Sequence, residues 1–121
     1  MLSKPERLKT SSEFNIAYNC RKSVANSLLI LYVRKRKTDP QKLTKVGFVV
    51  GKKISKKATK RNRIKRLMRE AYRNIRKTGK IPIEWETLIF LARPNTLEVN
   101  YKEIYDAIVD CLKKADKKYG T

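Results

Sequence analysis

Arg61, Asn62, Arg63, Lys65, Arg66, Arg69 and Arg73 fall in one stretch of thirteen residues that contains a single acid, Glu70. An arginine presents a planar fork of N–H donors that matches phosphate oxygens. An asparagine can bond a base edge or a ribose 2′-hydroxyl. Lys52, Lys53, Lys56, Lys57 and Lys60 lead into this stretch and extend its positive charge. Such a set can grip a polyanion, but it cannot activate water. The chain has no His, so the commonest general base is missing. Its 11 Asp+Glu are scattered without a dyad spacing. There is no nucleophile elbow, P-loop or glycine-rich phosphate fingerprint. Asp106 and Asp110 stand four apart and read as a solvated helix face rather than a metal site. Cys20 and Cys111 are isolated and read as buried thiols. No catalytic residue, metal site or bound cofactor is therefore expected, and any catalysis must draw its reactive groups from a partner.

The distribution of charge sharpens this reading. The chain of 121 residues carries a formal net charge of +20. Residues 1–51 contribute +8, residues 52–83 contribute +13, and residues 84–121 contribute −1. A surface charged only for solubility does not need one dense block. This block marks a footprint for nucleic acid. The opening residues, Met1 to Arg7, have no apolar signal region, and no apolar run approaches a membrane span. A cytoplasmic location and no membrane partner are expected.

The elements that must position these residues follow from periodicity. Residues 1–9 read as an extended basic tail of a single RNA-binding domain, 1–121. Thr10-Ser-Ser-Glu13 has the form of a capping box, which predicts a short helix over 11–19. Phe14, Ala17 and Tyr18 share one face of that helix. Leu28–Val33 is an unbroken apolar run that predicts a strand, with a further short strand near 23–25. Arg34 to Lys42 reads as a polar loop with an Asp39-Pro40 turn, and Lys45–Gly51 as the next strand. The length of that loop predicts that the two strands pair as an antiparallel hairpin. Ala58–Lys77 is a long amphipathic helix. Ile64, Leu67, Met68, Ala71 and Ile75 form its buried stripe, and Arg61, Lys65 and Tyr72 lie on one border with Arg63 on the other. Gly79 reads as its C-cap, with Pro82 beyond. Thr87–Ala92 is another strand. Asn100, with Glu103 three residues on, caps a last helix whose stripe is Ile104, Ile108, Cys111, Leu112, Ala115 and Tyr119. The result is an α+β sandwich with three helices on one small, mainly antiparallel sheet of about four strands, in the order αβββαβα.

The string Lys60-Arg-Asn-Arg-Ile-Lys-Arg-Leu-Met-Arg-Glu-Ala-Tyr72 resembles the RNR motif of the bacterial ribonuclease P protein family. The likeness extends to Glu13–Tyr18, Ser23–Asn26, Leu28–Tyr32, Gly47–Lys53 and Leu88–Pro94, and so to nearly the whole chain. Two departures stand out: the loop 54–60 lacks the family's glycine and is one residue longer, and Tyr18 stands where a second Phe is common. The resemblance implies a left-handed βαβ crossover through the basic helix, against the usual hand. It implies a protein with two RNA partners. One is the ribonuclease P RNA, which uses Mg²⁺ to hydrolyse a phosphodiester of precursor tRNA. The other is the precursor tRNA, whose 5′ leader the protein binds; DNA is not expected. Carried over by position, Phe14, Tyr18, Ile30, Tyr32 and Val49 would line the leader cleft. The RNR helix and the basic loop would contact phosphates and sugars. Stacking faces suit single-stranded RNA because every base offers one. The residues themselves leave a second reading open, in which the five apolar positions are core.

The main alternative is a ribosomal or other structural RNA-binding protein, which accounts for charge and size but gives the aromatic set no task. A DNA-reading helix is less well matched, since a strand and a Lys-rich loop precede the basic helix instead of a helix-turn-helix. A cationic membrane-active helix would need a Trp/Phe-rich apolar face, which this one lacks.

Overall fold

A computed structural model describes residues 22–35, 44–78 and 85–119. The tail 1–9, the helix expected over 11–19 with Phe14 and Tyr18, Cys20, the Asp39-Pro40 turn, and the Gly79 and Pro82 signals lie outside those residues. The described elements run β1 (Ser23–Ala25), β2 (Leu29–Lys35), β3 (Lys45–Val49), α1 (Ala58–Lys77), β4 (Trp85–Ala92), a 3-10 turn (Pro94–Thr96) and α2 (Tyr101–Tyr119). They form an α+β domain with one four-stranded sheet of order β1-β2-β4-β3.

The sheet corrects the expected hairpin. β2 and β3 are not neighbours: β4 lies between them, antiparallel to β2 and parallel to β3. The sheet is mixed, with its one parallel pair joined through α1. The cause lies in β4, where Trp85 and Thr87 through Phe90 are all buried. A strand that is apolar on successive residues is stabilised most where it is covered on both faces and paired on both edges. The twenty-residue helix gives the long connection that a parallel return needs. β2 also runs through Arg34 and Lys35, two residues into the stretch read as loop.

Alternation sorts the sheet into two faces. Leu29, Leu31 and Val33 of β2, Leu88 and Phe90 of β4, and Val46 of β3 join the buried residues of both helices in the main core. On α1 those residues are Ile64, Met68, Ala71, Tyr72 and Ile75. Two positions differ from the expected stripe. Leu67 is only half-buried, so its truncation costs less than a core leucine would. Tyr72, expected at the border, is buried among the rings of Phe48 and Phe90. On α2 the expected stripe forms, with Ala107 added and Tyr119 half-buried. The cap expected at Asn100 is present, its Oδ1 accepting from the Glu103 N–H at 2.9 Å.

Asn26 ties the β1–β2 turn to α2. Its Oδ1 accepts from the N–H groups of Leu28 (3.0 Å) and Leu29 (2.9 Å). Its Nδ2 donates to Ala107 O and Asp110 Oδ2, both at 3.0 Å. Asp110 is thus more than a solvated carboxylate: the Asn26 hydrogen bond holds its pKa below the ordinary value, helped by Lys114 at 3.1 Å and opposed by partial burial. Its neighbour Cys111 is free and buried, and burial pushes its thiol up to about 12. Asn26→Ala would strand the Leu28 and Leu29 amides and take a donor from the Asp110 carboxylate, and should cost about 2–3 kcal/mol. Because folding favours the ionised Asp110, that contribution is complete above about pH 4 and is lost as pH falls through the depressed value. Thermal melts of the parent should therefore weaken with acidification below about pH 4, and Asn26→Ala should flatten that dependence. A melting temperature unchanged by the substitution would show that the turn does not depend on this side chain.

Candidate nucleic-acid interface

α1 spans twenty residues, about 30 Å. Its two flanks are pinned by contacts. On one flank Tyr72 meets Phe48 of β3 edge-on at 5.9 Å, and Lys65, a full seven residues earlier, shares that side. On the other flank Asn74 Nδ2 donates to the Tyr101 hydroxyl of α2 at 2.6 Å, and Arg63 Nη2 donates to Val99 O at 3.0 Å. Between these flanks, and away from the core, helical phase places Asn62, Arg66, Arg69 and Arg73 along one outward strip. Asn62 and Arg66 are exposed, and Arg69 and Arg73 are half-buried along their stems. No acid lies in the first turn, and Arg76 and Lys77 complement the dipole in the last. Glu70 is exposed at the rim on the Arg63 side.

The loop before α1 is built without the glycine expected of it. The Ile54 N–H donates to Gly51 O at 3.1 Å, and Ser55 Oγ accepts from the Lys57 N–H at 3.2 Å. Arg61 closes the loop: its Nη1 donates to Ser55 O at 2.8 Å and to Lys56 O at 3.0 Å. That second task was not legible in the motif, and it means that Arg61→Ala would loosen the loop as well as remove charge. With the loop held in this way, Lys52, Lys53, Lys56, Lys57 and Lys60 are all exposed beside the start of the helix.

The sheet face turned away from the two described helices carries a second apolar cluster. Ile89 is fully buried there, with Tyr32, Val49 and Leu91 packed against it. Cross-strand register arranges this face in rows. Ile30, Leu91 and Val49 stand opposite one another in one row, and Tyr32, Ile89 and Gly47 in the next. The structure therefore brings together three of the five expected cleft residues, Ile30, Tyr32 and Val49, and none of them belongs to the main core. Phe14 and Tyr18 lie outside the described residues. Sequence reasoning missed Ile89 and Leu91. The signal for them was present in the alternation of Leu88-Ile-Phe-Leu91, but it has meaning only once β4 is central.

The arrangement can bind an extended polyanion in two ways, by charge along α1 and its loop and by apolar contact on the sheet. Among the described residues no three His, Cys, Asp or Glu side chains gather closely enough to hold a metal ion. No described helix is long and apolar enough to cross a membrane.

Comparison with known proteins agrees with this geometry. A family model described as Ribonuclease P matches residues 2–116. The chain is 37% identical over 108 residues to the ribonuclease P protein component of Alkaliphilus metalliredigens, covering 89% of this chain and 91% of that one. It is 38% identical over 110 residues to the corresponding protein of Clostridioides difficile, covering 90% of each. Among solved structures, the RNase P protein of Staphylococcus aureus aligns with a TM-score of 0.77 at 27% identity, over 93% of this chain and 96% of that one. The RNase P protein of Thermotoga maritima aligns with a TM-score of 0.75 at 28% identity, over 90% and 96%.

Proposed function

The chain belongs to the ribonuclease P protein family, and from that membership we propose that it is the protein subunit of a ribonucleoprotein endoribonuclease that removes the 5′ leader of precursor tRNA in the cytoplasm. The observation that carries the proposal is the pairing, in one small domain, of an outward basic strip on α1 with a separate apolar row structure on the far face of the sheet. A strip of this kind suits the phosphates of a large folded RNA. A shallow apolar face with Tyr32 on it suits the bases of an unpaired strand. The RNA subunit supplies catalysis and uses Mg²⁺. The protein's own part in this proposal is to bind and orient the RNA. Two finer features of the fold go with this proposal: a first helix over 11–19 that brings Phe14 and Tyr18 to the cleft, and a left-handed β3–α1–β4 crossover.

The first test is reconstitution with a bacterial ribonuclease P RNA, in which cleavage of precursor tRNA at low Mg²⁺ should depend on adding this protein. Within that holoenzyme, Tyr32→Ala should weaken binding of precursor tRNA by about 5- to 150-fold, the range expected for loss of one stacked base. Mature tRNA lacks the leader and should bind as before. Equal losses for the two ligands would remove the cleft from the proposal.

A further inference from the structure

The two apolar rows are followed on the same sheet face by a third row of a different kind. Two residues beyond Tyr32, Ile89 and Gly47 stand Arg34, Thr87 and Lys45, again directly opposite one another across β2, β4 and β3. Rows two residues apart are separated by about 7 Å along the strands. The face therefore changes from apolar to doubly cationic within one step, at the end where the sheet becomes irregular.

That irregularity is a bulge. The register passes from Arg34↔Thr87 to Lys35↔Trp85, leaving Glu86 as the extra residue of β4. The bulge delivers the Glu86 carboxylate to Arg34, with Nη1 and Oε2 3.2 Å apart and both side chains about a quarter exposed. The contact brings the charges together without a hydrogen bond, because Glu86 Oε2 is buried at the atom and has no hydrogen-bond partner. The acid holds Arg34 Nη1 close by charge alone, without forming a hydrogen bond to it. A better-aligned acceptor of the same charge can take its place. At the other end of the row Lys45 is exposed. Thr44 Oγ1 fixes the start of β3 to β4 by donating to Trp85 O at 2.7 Å.

We propose that Arg34 and Lys45 form a backbone-phosphate subsite that closes the apolar face, gripping a single phosphodiester of the RNA strand one nucleotide beyond the base against Tyr32 and Ile89, with Glu86 as the positioning residue for Arg34. The inference rests on the leader-cleft reading above and deepens it. Bases need stacking surfaces and phosphates need charge, and an extended strand crossing this face meets the two in succession. The row also gives the cleft a polarity, since its opposite end, at Ala25, Ile30, Leu91 and Val49, is apolar throughout.

The experiment uses the reconstituted holoenzyme and precursor tRNAs in which each leader phosphate in turn is replaced by a neutral methylphosphonate. Arg34→Ala and Lys45→Ala should each weaken binding of the all-phosphate precursor by about 3- to 10-fold and lower the salt slope by about 0.7. Both should lose this effect on one and the same methylphosphonate substrate, and neither should change mature tRNA binding. Glu86→Gln should keep the affinity but shift the parent's sensitivity away from that single position, because the guanidinium is no longer held over the row. The inference is overturned if both variants bind every precursor as the parent does, or lose affinity for precursor and mature tRNA alike. In either case Tyr32→Ala on the same substrates decides the fate of the cleft separately: if it still discriminates precursor from mature tRNA, only the phosphate row is lost, and if it does not, the cleft reading falls too.

Discussion

Tyr72→Ala should lower the stability of this domain by about 3–5 kcal/mol, among the largest losses expected from a single substitution in the described core. Tyr72 is 1% exposed. Its ring lies edge-on to Phe48 at 5.9 Å and tilted to Phe90 at 6.0 Å, and Phe48 and Phe90 stack on each other at 5.8 Å. These three rings join α1 to β3 and β4, the parallel pair that α1 itself connects. No tight turn links the two strands of this ladder, so its register depends also on what packs over it. Removing the ring empties a space that neighbours on a strand cannot collapse into. A domain of this size has a total stability of roughly 5–15 kcal/mol, so the variant should melt about 10–25 °C lower and unfold at correspondingly lower denaturant. Tyr72→Phe keeps the ring contacts and should lose far less. Leu67→Ala, half-buried at the seam between the helices, should fall between the two at about 1–2 kcal/mol. Circular dichroism melts of the three variants give the order directly. A loss below about 1 kcal/mol for Tyr72→Ala would mean that the ring cluster does not hold α1 to the sheet.

Much of this was legible in the sequence, and the failures share a cause. The bounds of α1, the stripe of α2 and the Asn100 cap depend on residues three and four apart, and local periodicity reports them well. The position of β4 depends on which strand is most apolar on both faces, a comparison among distant segments. The hairpin expected of β2 and β3 failed because adjacency in sequence was taken for adjacency in space. Tyr72 was misplaced for a related reason. A tyrosine at the edge of a helical stripe is exposed if the neighbouring flank faces water and buried if it faces Phe48, and only the tertiary contact decides. The expectation that Ile30, Tyr32 and Val49 line a cleft came from a resemblance, and the register places the three on one sheet face in adjacent rows. Ile89 completes their cluster because the central strand is apolar on both sides. The tasks of Asn26 and Arg61 were not legible, since Arg61 bonds backbone atoms and Asn26 bonds mostly backbone atoms, and backbone atoms carry no sequence.

Replacing Arg66, Arg69 and Arg73 together by alanine should leave the fold intact and weaken binding to the ribonuclease P RNA by on the order of 100- to 1,000-fold at moderate salt. The three lie on the outward strip of α1, and none is among its buried residues. Each substitution should therefore cost no more than about 0.5 kcal/mol of stability. Alanine also has a higher helix propensity than arginine, which works in the same direction. Arg61 is left out because it also closes the loop through Ser55 and Lys56, and Arg63 because it holds Val99. What the triple variant loses is contact with phosphates. Each contact displaces a condensed counterion, so the slope of log affinity against log salt should become shallower by roughly 2. Replacement by three lysines separates charge from shape. It should restore most of the slope, because the charge is back, but not the full affinity, because an ammonium cannot make the paired, planar contacts of a guanidinium. The measurement is a salt titration of binding for parent, triple alanine and triple lysine proteins, each first shown to melt at the parent's temperature. An unchanged slope in the triple alanine variant would mean that the strip faces solvent in the complex. The RNA would then have to be held by the exposed lysines of the loop before the helix.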